Sequence, residues 1–244
     1  MSESAEMDQA TTARRQQAIG VESGAARAAV LGINDGLVTN TALILGVVGA
    51  TTDSVGIVQL TGFASLVAGA CSMAAGEYVS MRAQVELLER LLDDERRAMI
   101  ANPEREGAVI RGTLEKHGFD PVMAAQATQG LARNIDRALN VYSRAVLGVN
   151  PDELGSPRAA ALTSAVAFAA GALIPLLPWY LAPRPVALGA SLALSGLAAI
   201  GIGGMLGHLS NHRVVRSALR QLLVVALASA VTYLVGRLFG VVAS

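Results

Sequence analysis

Charge, cysteine and aromatic rings are all scarce in this 244-residue chain. Only 16% of residues are Asp, Glu, Lys or Arg, against about 25% in an average soluble domain. The 19 cations balance the 19 anions, so there is no basic excess of the kind a nucleic-acid binder carries. A single cysteine, Cys71, excludes an intrachain disulfide framework and any CxxC zinc site. Catalytic signatures such as GxSxG, HExxH or a P-loop are missing, which argues against an enzyme and against nucleotide-driven work. What remains is apolar: 52% of the chain is hydrophobic, too much for intrinsic disorder.

The apolar residues fall into five blocks. Residues 28–52 hold one charge, Asp35; 55–76 hold none; 159–183 and 185–212 hold none; 221–244 hold only Arg237. Each is long enough for a membrane-spanning helix, which needs about 20 mainly apolar residues. The sequence therefore predicts an all-α integral membrane protein with five transmembrane helices. Residues 1–24 read as a flexible tail without a signal-peptide pattern. Residues 25–81 carry spans 1 and 2, 82–158 a polar helical domain, and 159–244 spans 3 to 5.

Orientation follows the cations. With the N-terminus in the cytosol, every Lys and Arg except Arg184 and Arg237 lies on the cytosolic side. That puts 82–158 in the cytosol and the C-terminus outside. Within 82–158 the sequence predicts a three-helix bundle. The first helix prolongs span 2 past Met99. The second starts at Pro103 and stops at His117-Gly118. The third runs over about 121–147 and stops at Gly148. Its acidic run, Glu86, Glu89, Asp93, Asp94 and Glu95, alternates with arginines. The pairs Glu86–Arg90 and Asp93–Arg97 read as a solvated, self-paired face; metal collection is the sharper alternative.

Polar side chains within spans are functional candidates by default. Span 1 offers Asn34, Asp35, Thr39, Asn40 and Thr41. Span 2 offers a stripe at every fourth residue: Ser65, Gly69, Met73, Glu77 and Met81. Counted inward from Arg27, Asp35 lies about 12 Å deep; counted from Arg82, Glu77 lies about 7–8 Å and Met73 about 13–14 Å deep. Asp35 is thus level with the Met73–Glu77 pair. Two carboxylates and a thioether suit a divalent transition metal better than Mg²⁺ or Ca²⁺. One copy supplies few ligands, and a twofold axis would double them, so a homodimer is expected. Gly32/Gly36, Ser72/Gly76 and Gly203/Gly207 are small-xxx-small pairs that permit close helix approach. Pro175 and Pro178 predict a kink in span 3. His208 and His212, one helical turn apart, read first as polar residues at a helix end.

Three stretches resemble one family. Leu31-Gly-Ile-Asn-Asp-Gly-Leu-Val-Thr-Asn40, Cys71-Ser-Met-Ala-Ala-Gly-Glu-Tyr-Val-Ser80 and Gly171-Ala-Leu-Ile-Pro-Leu-Leu-Pro178 are similar to motifs of the vacuolar iron transporters. The resemblance extends over about residues 25–243. It implies a dimer of five-span subunits in the lipid bilayer that exports Fe²⁺, often Mn²⁺, from the cytosol in exchange for protons. The metal is cargo, and no prosthetic group is implied. It also implies metal-binding roles for Asp35, Met73 and Glu77 in the membrane and for Glu95 and Glu106 in the cytosolic bundle. The other carboxylates expected in that bundle fall on Ala98, Val109 and Val146. The expected methionine pair falls on Tyr142 and Ser143, and Ser65 replaces a further glutamate in span 2. A non-transporting metal sensor or scaffold built on the bundle is the alternative reading. One lysine against eighteen arginines points to a prokaryotic plasma membrane.

Overall fold

A computed structural model describes residues 24–51, 55–131, 133–150, 155–209 and 213–243. The N-terminal tail, the tip of the first hairpin and His212 lie outside the described residues. Among the described residues all regular structure is helical. The helices are α1 (Gly24–Ala50), α2 (Val55–Ala101), α3 (Pro103–Lys116), α4 (Pro121–Leu131), α5 (Ile135–Val141), α6 (Pro157–Leu176), α7 (Pro178–Leu181), α8 (Arg184–Leu209) and α9 (Val214–Ala243). Five of them, α1, α2, α6, α8 and α9, are long and apolar enough to cross a membrane. The chain divides into two compact units, residues 25–78 with 158–244, and residues 79–157.

In the first unit α1 is the hub, because small residues on two of its sides let other backbones come close. A Cβ on Gly36 would lie 2.9 Å from the carbonyl carbon of Phe168 and 3.0 Å from the amide nitrogen of Ala172. Reciprocally, a Cβ on Gly171 would lie 2.9 Å from Leu37 N. Higher up, a Cβ on Gly236 or Gly240 would meet the backbone of Gly46 or Ala50 at 2.8–2.9 Å. Contacts ascend together along α1, α6 and α9, so these three run parallel. Helix α2 runs antiparallel to α6, with Gly62 against Leu176 and Gly69 against Phe168. Helix α8 runs antiparallel to α9, with Gly203 and Gly207 against Ser217. Apolar layers fill the spaces: Ile44, Val58, Leu66, Phe168, Leu176 and Trp179 in one cluster, Leu37, Ala199, Ile202 and Val225 in another.

Proline breaks the third span. Pro175 sits within the last turn of α6, which ends at Leu176, and Pro178 opens the short α7. A proline has no N–H to donate to the preceding turn, and buried backbone carbonyls need partners. Neighbouring helices brace this stretch. Asn40 Nδ2 donates to Ala172 O, Ser191 Oγ to Pro175 O and Gln59 Nε2 to Trp179 O, each at 2.7 Å. Arg184 Nη2 donates to Thr51 O at 3.0 Å, tying the start of α8 to the residue after α1.

The second unit differs from the expected three-helix bundle. Residues 121–147 do not form one helix. Helix α4 ends at Leu131, and α5 starts afresh at Ile135, passing into a π-helical turn at Tyr142–Leu147. The reason is Asn134, whose backbone is extended (φ −146°) and whose side chain accepts from Arg137 N at 3.1 Å. An N-cap of that kind starts a helix rather than continuing one. The expected stops hold: Gly118 and Gly148 both adopt positive φ. The core joins Leu88 and Met99 of α2, Ile110 of α3, and Ala138, Leu139, Tyr142, Val146 and Leu147. The acidic run is solvated except at Glu95, which is buried, and its ion pairs differ from those expected. Glu86 pairs with Arg82 at 2.8 Å, Arg97 with Asp94 at 2.6 Å, and Arg96 reaches across to Asp136.

Candidate functional site

The turn of α1 from Gly32 to Gly36 has three differently occupied sides. Gly32 and Gly36 are buried against α6. Asn34 is half-buried and accepts a hydrogen bond from Gln221 Nε2 of α9. Asp35 lies on the side that remains, where Leu31, Asp35 and Thr39 form an exposed stripe at four-residue spacing. Asp35 Oδ1 accepts from Thr39 Oγ1 at 3.3 Å. Among the described residues, no Arg, Lys or His forms an ion pair with Asp35.

On α2 the stripe predicted from the spacing is a border. Ser65, Gly69, Met73 and Glu77 are each half-buried. Met73 packs against the cluster that holds Phe168 and Leu176. Met81, assigned to the same stripe, is only 2% exposed and belongs to the other unit. Beside the border runs an uncovered face of small residues: Ala64, Ala68, Cys71, Ser72, Ala75 and Gly76 are all exposed. A Cβ on Gly76 would meet nothing within 4 Å. Of the three small-xxx-small pairs expected to permit close approach, Gly32/Gly36 and Gly203/Gly207 are used inside the subunit, and Ser72/Gly76 is not.

Among the described residues no three His, Cys, Asp or Glu side chains converge on one point, and no hydrogen bond joins Asp35 to Glu77. One subunit thus carries two carboxylates and a thioether without assembling a closed ligand sphere from them.

The bundle residues separate as well. Glu95 is 1% exposed, within the core of its unit. Glu106 is half-buried and lines a cavity of about 40 Å³ with Met99, Ile110, Thr128 and Leu131, room for about one water molecule. Val146, Tyr142 and Ser143 are at most 2% exposed, so the positions that replace expected ligands serve packing. Ser143 Oγ donates to Asn140 O at 2.9 Å. His208 is exposed at the end of α8.

A family model described as VIT family matches residues 26–237. The chain belongs to the VIT family. It is 31% identical over 205 residues to vacuolar iron transporter 1 of Arabidopsis thaliana, covering 84% of this chain and 82% of that protein. It is 36% identical over 215 residues to vacuolar iron transporter homolog 3 of the same plant, covering 88% and 82%. Against vacuolar iron transporter homolog 1 of Oryza sativa subsp. japonica the identity is 37% over 215 residues, covering 88% and 73%. With five apolar helices, this VIT family member is an integral membrane protein. The matched span takes in the Asp35 turn and most of α9.

Sequence reading missed Gln221 and the Gly236/Gly240 pair. Both were readable: Gln221 is the one amide side chain in the last apolar block, and Gly236-x-x-x-Gly240 is a plain small-xxx-small pair.

Proposed function

We propose that this VIT family member is a transporter that exports Fe²⁺ and/or Mn²⁺ from the cytosol in exchange for protons. Its relatives are named vacuolar iron transporters, and family membership sets it among transporters rather than enzymes. The observation that carries the reading is Asp35: a carboxylate within an apolar span, on the uncovered side of α1, with no cationic partner among the described residues. Such a group is costly against hydrocarbon. A second copy of the chain relieves that cost if the uncovered faces of α1 and α2 meet across a twofold axis. Two copies bring together two each of Asp35, Met73 and Glu77, a mixed oxygen and sulfur set suited to a divalent transition metal.

Proton exchange has a direct physical basis. A carboxylate can hold either a dication or a proton, and the two compete for the same oxygens. Metal entry therefore expels a proton and metal departure recaptures one. The distribution of Lys and Arg supports a cytosolic N-terminus, a cytosolic 82–158 domain and an extracytosolic C-terminus; arginine-rich composition supports a prokaryotic plasma membrane. In the bundle Glu106, at a cavity wall, is better placed to meet a metal than the core residue Glu95.

The test is metal-dependent proton flux in proteoliposomes. Asp35→Asn is expected to abolish flux of both metal and protons while the protein stays folded. Full flux in a folded Asp35→Asn protein refutes the pathway, and metal binding without flux in the unmodified protein favours the sensor reading instead.

A further inference from the structure

Asn34 is the polar residue of the Asp35 turn that faces the interior of its own subunit. Its partner, Gln221, comes from α9, almost 190 positions later in the chain. The surroundings fix Gln221 in place. A Cβ on Gly203 of α8 would lie 2.8 Å from Gln221 Cβ and 2.7 Å from Ser217 O, so α8 and α9 approach at backbone distance there. Across the same turn of α1, Gly32 and Gly36 meet the α6 backbone. The turn is thus held on two sides, by backbone contact with α6 and by one amide–amide hydrogen bond to α9. Asp35 is the residue left outside both. At 3.6 residues per turn the bearings of neighbouring side chains are locked to each other, so fixing Asn34 fixes Asp35.

We infer that Gln221 is a positioning residue for transport. Through Asn34 it sets the rotation of the α1 turn and so the direction in which Asp35 is presented. The inference rests on the metal-carrying role given to Asp35 above. An amide pair suits the task chemically. It donates and accepts like a charged pair, yet it places no cation beside the path of a dication.

The test uses the full chain in proteoliposomes with Mn²⁺ as probe, reading apparent KM and maximal flux separately. Gln221→Leu keeps the side-chain volume and removes the amide. It is expected to raise KM for Mn²⁺ by about three- to tenfold, the size one interhelical hydrogen bond supports, with maximal flux changed less than about twofold. Asn34→Leu should match it, and the double variant should be no worse than either single one. The swapped pair, Asn34→Gln with Gln221→Asn, should restore the original KM. Unchanged KM in Gln221→Leu overturns the inference. So does a loss confined to maximal flux that follows lowered thermal stability, or additive effects in the double variant. If Gln221→Leu does not fold, Gln221→Asn, one methylene shorter, carries the same expectation and the same refuting result. Asp35→Asn separates the two ideas. If it kills flux while Gln221→Leu behaves as the unmodified protein, positioning alone fails; if Asp35→Asn transports normally, the pathway fails and the positioning role with it.

Discussion

Replacing Gly36 by alanine adds one methyl group where the structure has no room for it. The new Cβ would lie 2.9 Å from the carbonyl carbon of Phe168 and 3.0 Å from Ala172 N. Ordinary carbon contacts start at about 3.5 Å. Phe168 O is nearer still, and all three obstructing atoms are backbone, so no rotamer change relieves the clash, and α1 and α6 must separate by about 1 Å. The 2.7 Å hydrogen bond from Asn40 to Ala172 O spans the same interface. A shift of that size takes it beyond the useful range of about 3.2 Å. Overpacking costs about 1–3 kcal/mol, and a lost interhelical hydrogen bond about 0.6–2 kcal/mol. Alanine's better helix propensity returns about 0.8–1 kcal/mol. The net is about 1–4 kcal/mol of destabilisation. At roughly 2–4 °C per kcal/mol for a chain near this size, the thermal midpoint in detergent should fall by several degrees, on the order of 2–16 °C. Fluorescence of the single tryptophan, Trp179, buried at 1% exposure, reports the transition. Gly201→Ala on α8 is the matched control, since its Cβ meets nothing within 4 Å and it lies away from the uncovered faces of α1 and α2; its midpoint should stay level or rise. A Gly36→Ala protein as stable as the unmodified one would refute the close α1–α6 contact on which the exposure of Asp35 depends.

Other consequences are simpler to check. Cys71 lies on the uncovered face of α2, so mild oxidation in membranes should give a disulfide-linked dimer that Cys71→Ser abolishes; monomer alone on a gel would count against that face as the subunit contact. Asn134→Ala removes the cap that splits the last bundle helix in two. It should cost about 1 kcal/mol, or about 2–4 °C in thermal midpoint, and no change would mean that the break has another cause.

The five spans were legible because a membrane helix is defined by length and by the near-absence of charge, both linear properties of the chain. Helix ends in the bundle were legible at Pro103, Gly118 and Gly148, where the local chemistry of proline and glycine decides. The split at Asn134 was passed over because an asparagine is tolerated within a helix as well as before one. It becomes a cap only when its backbone is extended, which packing of α4 and α5 settles. Asp35 was identifiable as unusual from its apolar surroundings alone, and so were the glycines on either side of it.

Which side each of these residues takes was a different matter. A soluble helix declares its buried face through contrast between apolar and polar stripes, and that contrast vanishes where the solvent is itself hydrocarbon. Asn34, Asp35 and Gly36 are consecutive and equally plausible as interior groups when read along the chain. Packing against α6 and α9 turned the glycines and the asparagine inward and left the carboxylate on the free side. The sequence alone determined that a charge lies deep within an apolar helix. Only the tertiary structure decided where it points, because close backbone approach is a property of pairs of helices and is written in neither one separately.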